Sequence, residues 1–412
     1  MDIYKGKTIM AKITSRPIHI TLKTVGAFYV LTSLSALANA SPVDSKLTIT
    51  PELSKTQVVF NWKTDRCSDD NIPDSPARAF KSADGTVNLY ATHYINRSMT
   101  GNSLDSVKQS CEIRFEAKMD SRPQLYDARV WLQTFYSEDN GNKVISLASS
   151  DYHGRWFKNC DESQGKNLGC WWSAIILAQS DDGGKSFNTE SPSNRIIAQS
   201  NYKFSNRESG PIGFLTTSNI VKIDEWYYSI FYTSKYKDQN AGNCLARTSD
   251  INSKYSWRFW DGRDFSIDLS NPYASHTKSK TCVTLKNLSS KIRSLTWHSK
   301  TKEFIASHED FINKKPPQSR VDARFSFSTS KDLIHWSNPK EIITITGKKN
   351  CQPQSPAAYP SILDSNSTDR NFGTVGNNAY LYYTKFNLGE DCRLTLDRDL
   401  LRVPINLDVS DR

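Results

Sequence analysis

Beyond residue 50, short alternating or aromatic-rich apolar runs are separated by polar stretches of Gly, Asn, Asp and Ser. Typical runs are "GTVNLYATHYI", "WSAIILAQS", "EWYYSIFYTSKY" and "AYLYYTKF". Runs of this length and pattern, bounded by turn residues, are typical of β-strands. Helical periodicity is hard to find in the same region. The pattern therefore predicts an all-β domain built from many short strands.

A repeat organises these strands. Three segments, "AQSDDGGKSF", "ARTSDINSKYSWRFW" and "FSTSKDLIHWSNP", each follow a strand with a polar turn and then an aromatic residue. Counting strands around them divides the chain into five units, at residues 70–115, 125–190, 215–265, 293–345 and 355–407. Because radial repetition of small sheets limits exposed edges, we predict a five-bladed β-propeller. A pair of two-sheet sandwiches is the structural alternative.

The first of these turns has the spacing Ser180-x-Asp182-x-Gly184-x-Ser186-Phe187. This spacing resembles the Asp box of sialidases and other propeller proteins. We expect Asp182 to accept backbone hydrogen bonds in a tight hairpin and Phe187 to pack between sheets. A calcium loop is the competing interpretation, but the further oxygen ligands and the closing Glu are missing. The turn is therefore interpreted as a marker of the fold.

Residues 1–40 have the pattern of a secretory signal peptide. Five basic side chains precede the apolar run "TVGAFYVLTSLSAL", and Ala38-Asn39-Ala40 offers a cleavage site. No later run approaches about 20 apolar residues, so we expect no transmembrane segment after cleavage. We predict a secreted or periplasmic protein with an N-terminal extension at 41–66 and the propeller domain at 67–412. An uncleaved anchor is the alternative.

Removal of the signal peptide changes the charge of the chain. Residues 1–40 contribute +4 of the formal +10, which leaves +6 on the remainder. This mildly basic chain favours acidic glycans or anionic cell surfaces. Its Lys and Arg residues are scattered rather than gathered into a dense stripe, so we expect no nucleic-acid partner. We also expect a monomer.

The cysteines predict a disulfide framework. An even number of cysteines in an exported protein favours disulfides, and none has the C-x2-C spacing of a zinc site. Pairing neighbours in sequence keeps each bridge local to one repeat. The predicted bridges are Cys67–Cys111, Cys160–Cys170, Cys244–Cys282 and Cys351–Cys392.

Several segments together resemble secreted bacterial proteins with glycosidase-type five-bladed propellers and, more distantly, the arabinanase, xylosidase and fructosidase superfamily. They are "PDSPARAF", "ATHYINR", "YDARVW", "SWRFWDGRDF", "STSKDLIHWSNP" and "LDRDLLRVPI". The resemblance covers nearly all of the mature chain, but its best pieces are turns that mark a fold, and fold alone does not assign function. It implies an axial funnel where an Asp base or nucleophile, an orienting Asp and a Glu acid share the work.

Matched position by position, the resemblance makes Asp74 the first aspartate, with a turn-initiating Asp as the alternative. Asp127, at the start of the second unit, would be the orienting Asp. The acid is either Glu309, beside the like-charged Asp310, or Glu208 in "RESGPIGF". Neither glutamate has an unmistakable acid motif.

Polar and aromatic groups are expected to hold the sugar or its acidic substituents, although each of them also has a structural interpretation. Arginine forks suit carboxylates, and aromatic faces suit pyranose rings. The candidates are Arg78, His93, Arg97, Tyr152, His153, Arg324 and Tyr359. Neither a metal-ligand motif nor a nucleotide motif is present, so we predict no cofactor, with room for a structural calcium at the axis.

Three functions follow from these patterns. The leading one is a secreted glycoside hydrolase that acts on a glycan or polysaccharide through paired carboxylates in an axial pocket. The alternative is a non-catalytic carbohydrate-binding or surface-interaction propeller. A sialidase is the third, but the "R-I-P" arginine segment and a Tyr/Glu nucleophile pair are missing from the sequence.

Overall fold

The computed structural model describes residues 45–161, 169–269, 271–274, 280–317, 319–350 and 355–410. The predicted signal peptide and Cys351 lie outside these ranges. Within them the chain is nearly all β, with two four-residue helices, α1 (Trp62–Asp65) and α2 (Pro192–Arg195). None of the helices described here is long and apolar enough to cross a bilayer. Single 3-10 turns occur at Leu53–Lys55, Pro123–Leu125, Asp139–Gly141, Gly154–Phe157 and Lys254–Ser256.

The strands follow one another in five units, preceded by β1 (Leu47–Pro51) and β2 (Gln57–Phe60). Unit one contains β3 (Arg78–Lys81), β4 (Val87–Tyr90), β5 (Ile95–Asn96), β6 (Met99–Gly101), β7 (Lys108–Gln109) and β8 (Phe115–Glu116). Unit two contains β9 (Arg129–Glu138), β10 (Lys143–His153), β11 (Trp171–Ser180) and β12 (Ile196–Ala198). Unit three contains β13 (Ile212–Thr217), β14 (Val221–Ile223), β15 (Trp226–Thr233), β16 (Gly242–Thr248), β17 (Arg258–Trp260) and β18 (Phe265–Ile267).

The last two units are formed in the same way. Unit four contains β19 (Lys291–His298), β20 (Glu303–Lys314), β21 (Arg320–Ser330) and β22 (Lys340–Ile345). Unit five contains β23 (Ala357–Leu363), β24 (Thr374–Val375), β25 (Asn378–Phe386) and β26 (Arg398–Val409). In each unit the main strands form an antiparallel meander, for example β9–β10–β11–β12 and β19–β20–β21–β22. A parallel pair, β11 with β13, joins the sheets of units two and three.

Strands from the two ends of the domain complete unit five. Both β1 and β2 pair antiparallel with β26, and β1 runs in register from Leu47 opposite Val409 to Pro51 opposite Ile405. Residues 45–60, expected as part of an extension before the domain, therefore supply strands to its sheet. The pairing covers backbone groups that β26 would otherwise expose along its edge.

Both faces of β11 are buried, which explains why this strand is almost continuously apolar. In β11, Ile175 and Leu177 pack in one cluster with Phe231 of unit three, whereas Ile176 packs in another with Phe80 of unit one. Successive side chains of a strand point to opposite faces, so one strand supplies two cores. The largely apolar run "WSAIILAQS", which lies in β11, is explained by this burial on both faces.

The units close into a cycle. Five hydrophobic clusters lie between units one and two, two and three, three and four, four and five, and five and one. The first strands, β3, β9, β13, β19 and β23, also contact one another in a closed series. We call these five strands the central cycle.

Arg78, in β3, joins the strands of the central cycle. Its side chain is 2 % exposed, and its guanidinium donates to Ser361 Oγ at 3.0 Å, to the carbonyl of Thr217 at 3.3 Å and to the carbonyl of Arg293. Burial, and then the positive charge of Arg293, lower the pKa of Arg78 to about 9. These contacts of Arg78, one of the predicted sugar-binding residues, connect unit one with three other units of the domain.

Disulfides and turns match the repeat. The structure contains the bridges Cys67–Cys111, Cys160–Cys170 and Cys244–Cys282, which are three of the predicted pairs. The fourth predicted pair includes Cys351, outside the described residues. The three Ser/Thr-x-Asp turns begin at the last residues of β11, β16 and β21, which is the same position in each unit.

Asp182 makes the hydrogen bonds predicted for the Asp-box turn. Its Oδ1 accepts from the backbone N–H groups of Lys185 and Ser186, both at 2.9 Å. Phe187 is buried against the rings of Tyr90 and Phe135, at centroid distances of 6.3 and 5.7 Å. Asp182 therefore stabilises the hairpin and Phe187 packs in the core, as expected for a structural turn.

Candidate active site

Charged side chains gather where the strands of the central cycle begin. Asp74 lies just before β3, Arg129 begins β9, and Lys291 begins β19. The antiparallel second strands return to the same edge, because Asp151 is in register with Arg129 and Glu309 with Lys291. We call this edge of the central cycle the first-strand edge.

Asp74 is the best-connected carboxylate at the first-strand edge. Tyr359 Oη and Trp131 Nε1 each donate a hydrogen bond to it at 3.2 Å, and Arg398 Nη1 donates another. His93 Nε2 lies 3.9 Å from Oδ2, and burial lowers the pKa of this histidine. The donors hold the carboxylate in one orientation while 19 % of the side chain stays exposed.

Glu309, one of the two predicted acids, is enclosed. Its side chain is 1 % exposed. Arg293 Nε donates to Oε1 at 2.9 Å, and the backbone N–H of Tyr359 donates to Oε2 at 2.7 Å. Asp310, the expected like-charged neighbour, is instead bonded to Arg324 Nη2 at 3.1 Å. Tyr359 joins Glu309 to Asp74, because its backbone N–H donates to Glu309 and its Oη donates to Asp74.

The other two predicted carboxylates have different partners. Asp127 accepts from the backbone N–H of Lys118 at 3.1 Å and lies 3.8 Å from Arg195 Nη1. Glu208 accepts from Tyr236 Oη at 3.3 Å. Neither set of contacts links these carboxylates to Asp74.

Asp151, near the end of β10, is a carboxylate that the sequence patterns missed. It is buried, and its Oδ1 accepts hydrogen bonds from Ser173 Oγ at 2.6 Å and Ser149 Oγ at 2.7 Å. Burial raises the pKa of Asp151 to about 6; the two serine hydrogen bonds oppose this effect, and the negative charge of Asp74 adds to it. Its "SSDY" sequence carries no local signal, because the perturbation depends on burial by other strands.

Among the predicted sugar-binding residues, His93, His153 and Tyr359 lie at the first-strand edge. The ring of His153 stacks on Trp156 at 4.0 Å and on Trp171 at 4.9 Å between centroids. Burial, and then the positive charge of Arg129, lower the pKa of His153 to about 4. The histidine is therefore neutral near pH 7 and forms part of an aromatic stack.

The remaining predicted sugar-binding residues lie apart from Asp74 or are occupied by protein groups. Arg78 is buried between units, and Arg324 is paired with Asp310. Tyr152 is buried and donates to the carbonyl of Ser121 at 2.9 Å, while Arg97 Nε donates to the carbonyl of Cys111 at 3.3 Å.

Metal ligation and large cavities do not coincide with the carboxylates. In the ranges that the structure describes, no group of three or more His, Cys, Asp or Glu side chains could hold a metal ion. The axial calcium stays a prediction. Two clefts open to solvent, of about 410 Å³ and 290 Å³, are present, and Asp74 lines neither. They share the lining residues Gln199, Ser200 and Tyr202.

Comparisons with known proteins give structural likenesses alone. No family model matches the chain, and no curated protein matches it. Among solved structures, a thermostable family-43 glycoside hydrolase is 12 % identical with a TM-score of 0.43, over 81 % of this chain and 88 % of its own. An α-L-arabinanase of Cellvibrio cellulosa is 10 % identical with a TM-score of 0.44, over 80 % and 91 %. A glycosyl hydrolase from Bacteroides ovatus is 13 % identical with a TM-score of 0.40, over 88 % and 89 %. At such values these likenesses carry no part of the functional assignment.

Proposed function

We propose that the closed cycle of five units is a five-bladed β-propeller and that the protein is exported. Hydrophobic clusters between every pair of neighbouring units, and the closed contacts of the central cycle, support the propeller. Three disulfides support an oxidising compartment, because such bonds persist there and are rare in the cytosol.

We infer that the protein is a glycoside hydrolase whose working carboxylates are Asp74 and Asp151. The observation that carries this proposal is that two carboxylates with different degrees of burial lie at the first-strand edge, where the charge of Asp74 affects the pKa of Asp151. Asp74 is partly exposed and oriented by three donors, whereas burial raises the pKa of Asp151 to about 6. Cleavage of an acetal needs one ionised and one protonated carboxyl, and separate environments are how proteins supply both.

The roles follow from these settings. Asp151, protonated below about pH 6, donates a proton to the glycosidic oxygen as the bond to the leaving sugar breaks. Asp74 acts on the anomeric carbon, directly or through water, and Tyr359 and Arg398 fix its orientation. Asp127 as an orienting residue and Glu208 as a rival acid remain predictions.

Substitution of each carboxylate tests the proposal. The wild-type protein is assayed on a panel of aryl glycosides, sialosides and polysaccharides, followed by Asp74→Asn, Asp151→Asn and Glu208→Gln. Asp181→Asn, at an exposed turn position, is the matched control. We expect Asp74→Asn to lower kcat/KM at least about 100-fold, since general acid–base or nucleophilic groups contribute on this scale. Unchanged activity in Asp74→Asn would contradict the mechanism.

The second candidate is a non-catalytic glycan-binding propeller. It is favoured by the enclosure of Glu309, since the predicted acid is bonded to Arg293 and to the backbone of Tyr359. A glycan array combined with a reducing-sugar assay separates the two functions. Binding without release of reducing sugar, on every bound glycan, supports the binding module and excludes hydrolysis.

A further inference from the structure

Arg129 is held in place by aromatic rings rather than by an acid. Its guanidinium carbon lies 3.2 Å from the ring centroid of Trp156 and 4.5 Å from that of Tyr94. Trp156 itself stacks on His153, which stacks on Trp171. The guanidinium is thus positioned by a connected aromatic layer, and little side-chain freedom remains to be lost when it binds a ligand.

The same arginine has no counter-ion among the described residues. No hydrogen bond or ion pair joins it to another of these residues, and its buried Nε has no partner. Asp151, opposite it in the sheet, acts on it only as a more distant charge. Burial lowers the pKa of Arg129. Burial of Nε without a hydrogen-bond partner is costly, and a ligand oxyanion would offset that cost.

The surroundings of Arg129 indicate the ligand's chemistry. Trp156 is 42 % exposed, and because His153 and the Arg129 guanidinium lie against its ring, the exposed part of this side chain borders the guanidinium. Two other arginines of the first-strand edge are ion-paired, Arg398 with Asp74 and Arg293 with Glu309, whereas Arg129 has no such pair among the described residues. A guanidinium whose face is covered by a ring donates through its in-plane N–H groups, a geometry that suits a planar carboxylate.

We propose that Arg129 binds the carboxylate of an acidic sugar, and that the glycan recognised at this edge therefore contains uronic acid. This inference rests on the proposed action at the first-strand edge and specifies its substrate class. Arg129 binds the carboxylate of this sugar through its in-plane N–H groups. Discrimination against neutral sugars follows, because a neutral ligand leaves the guanidinium unpaired.

Binding is measured in an Asp74→Asn background, so that turnover does not remove the ligand. Affinity electrophoresis and calorimetry use polygalacturonate, alginate and hyaluronan, each beside its carboxyl-reduced form. We expect binding to at least one native polymer and at least about tenfold weaker binding to its reduced form, as expected for loss of a charge-assisted pair. A sulfated galactan without carboxylates is added as a further arm. The proposal is overturned by equal binding of native and reduced forms, by no binding to any native polymer, or by binding confined to the sulfated galactan.

Arg129→Gln is then compared with Arg247→Gln. Arg247 is a matched control because it also stacks on two rings, Trp226 at 4.2 Å and Phe265 at 4.3 Å, but lies 3.7 Å from an acid, Asp264. We expect Arg129→Gln to remove the tenfold preference for the acidic polymer and Arg247→Gln to retain it, with equal melting temperatures for the two variants. A preference that survives in Arg129→Gln overturns the assignment to this residue.

Arg129→Lys distinguishes charge from fork geometry and covers the case in which the glutamine variant fails to fold. We expect it to keep part of the preference, because the charge remains but the bidentate donor is lost.

The hydrolase proposal and the acidic-sugar proposal are refuted by different results. Selective binding of acidic polymers without hydrolysis by the wild-type protein contradicts the hydrolase and leaves this inference standing, whereas hydrolysis of neutral glycans alone does the reverse.

Discussion

Asp151→Asn is expected to remove a specific pH dependence of stability. Burial raises the pKa of this carboxyl from 3.8 to about 6, and a difference of about two in pKa corresponds to about 3 kcal/mol. The folded protein binds the Asp151 proton more tightly than the unfolded chain does. The resulting stabilisation is fully present below about pH 4 and is lost as the pH rises through about 6.

Four histidines act in the opposite direction, among them His93 and His298, whose pKa burial lowers. Burial lowers the pKa of His153 and of His308 to about 4, so the folded protein resists their protonation and loses stability as the pH falls below about 6.5. The wild-type curve therefore combines opposing contributions. The difference between wild type and Asp151→Asn isolates the carboxyl, because Asn retains an oxygen that accepts from Ser149 and Ser173.

Urea unfolding at intervals between pH 4 and pH 8 measures this difference. We expect the stability of wild type relative to Asp151→Asn to fall by up to about 3 kcal/mol from pH 4 to pH 7. Asp181→Asn, at an exposed position, should follow the wild-type curve throughout. A difference between wild type and Asp151→Asn that varies by less than about 0.5 kcal/mol, the usual effect of a surface substitution, refutes the reasoning.

Two further predictions concern the fold. Asp182→Ala removes an acceptor of two backbone hydrogen bonds and should lower the free energy of unfolding, measured in urea titrations, by about 2 kcal/mol. The control Asp181→Ala, at the exposed neighbouring position, should change the free energy of unfolding by less than about 0.5 kcal/mol. Equal effects of the two substitutions would contradict the structural turn. Replacing Cys244 and Cys282, separated by 38 residues, with Ser should cost about 4 kcal/mol by the chain-entropy relation, and a loss below about 1 kcal/mol would show that the bridge adds little.

The local patterns predicted much of the architecture because their causes are local. Alternating side chains specify a strand, and the bonds from Asp182 to Lys185 and Ser186 span only a few residues. The closing pair of β1 with β26 was not foreseen. It joins segments from opposite ends of the domain, and no local pattern records a partner at that separation.

The candidate site was predicted less completely than the fold. The catalytic role of Asp74 stays a prediction, and the structure surrounds this carboxylate with Trp131, Tyr359 and Arg398 from three strands. Asp151 was missed, since nothing in its neighbours along the chain announces a buried carboxyl.

The sequence by itself determined that this chain forms repeated small β-sheets, with hairpin turns at Asp182 and its counterparts and with local disulfides. These features depend on side-chain alternation and on contacts between near neighbours. Tertiary structure alone decided which charges meet: Arg293 with Glu309, Arg398 with Asp74, and Arg129 with aromatic rings instead of an acid. The pKa shifts and ion pairs of these side chains depend on groups from different strands and on the exclusion of water. They therefore exist only after the units have closed into a cycle.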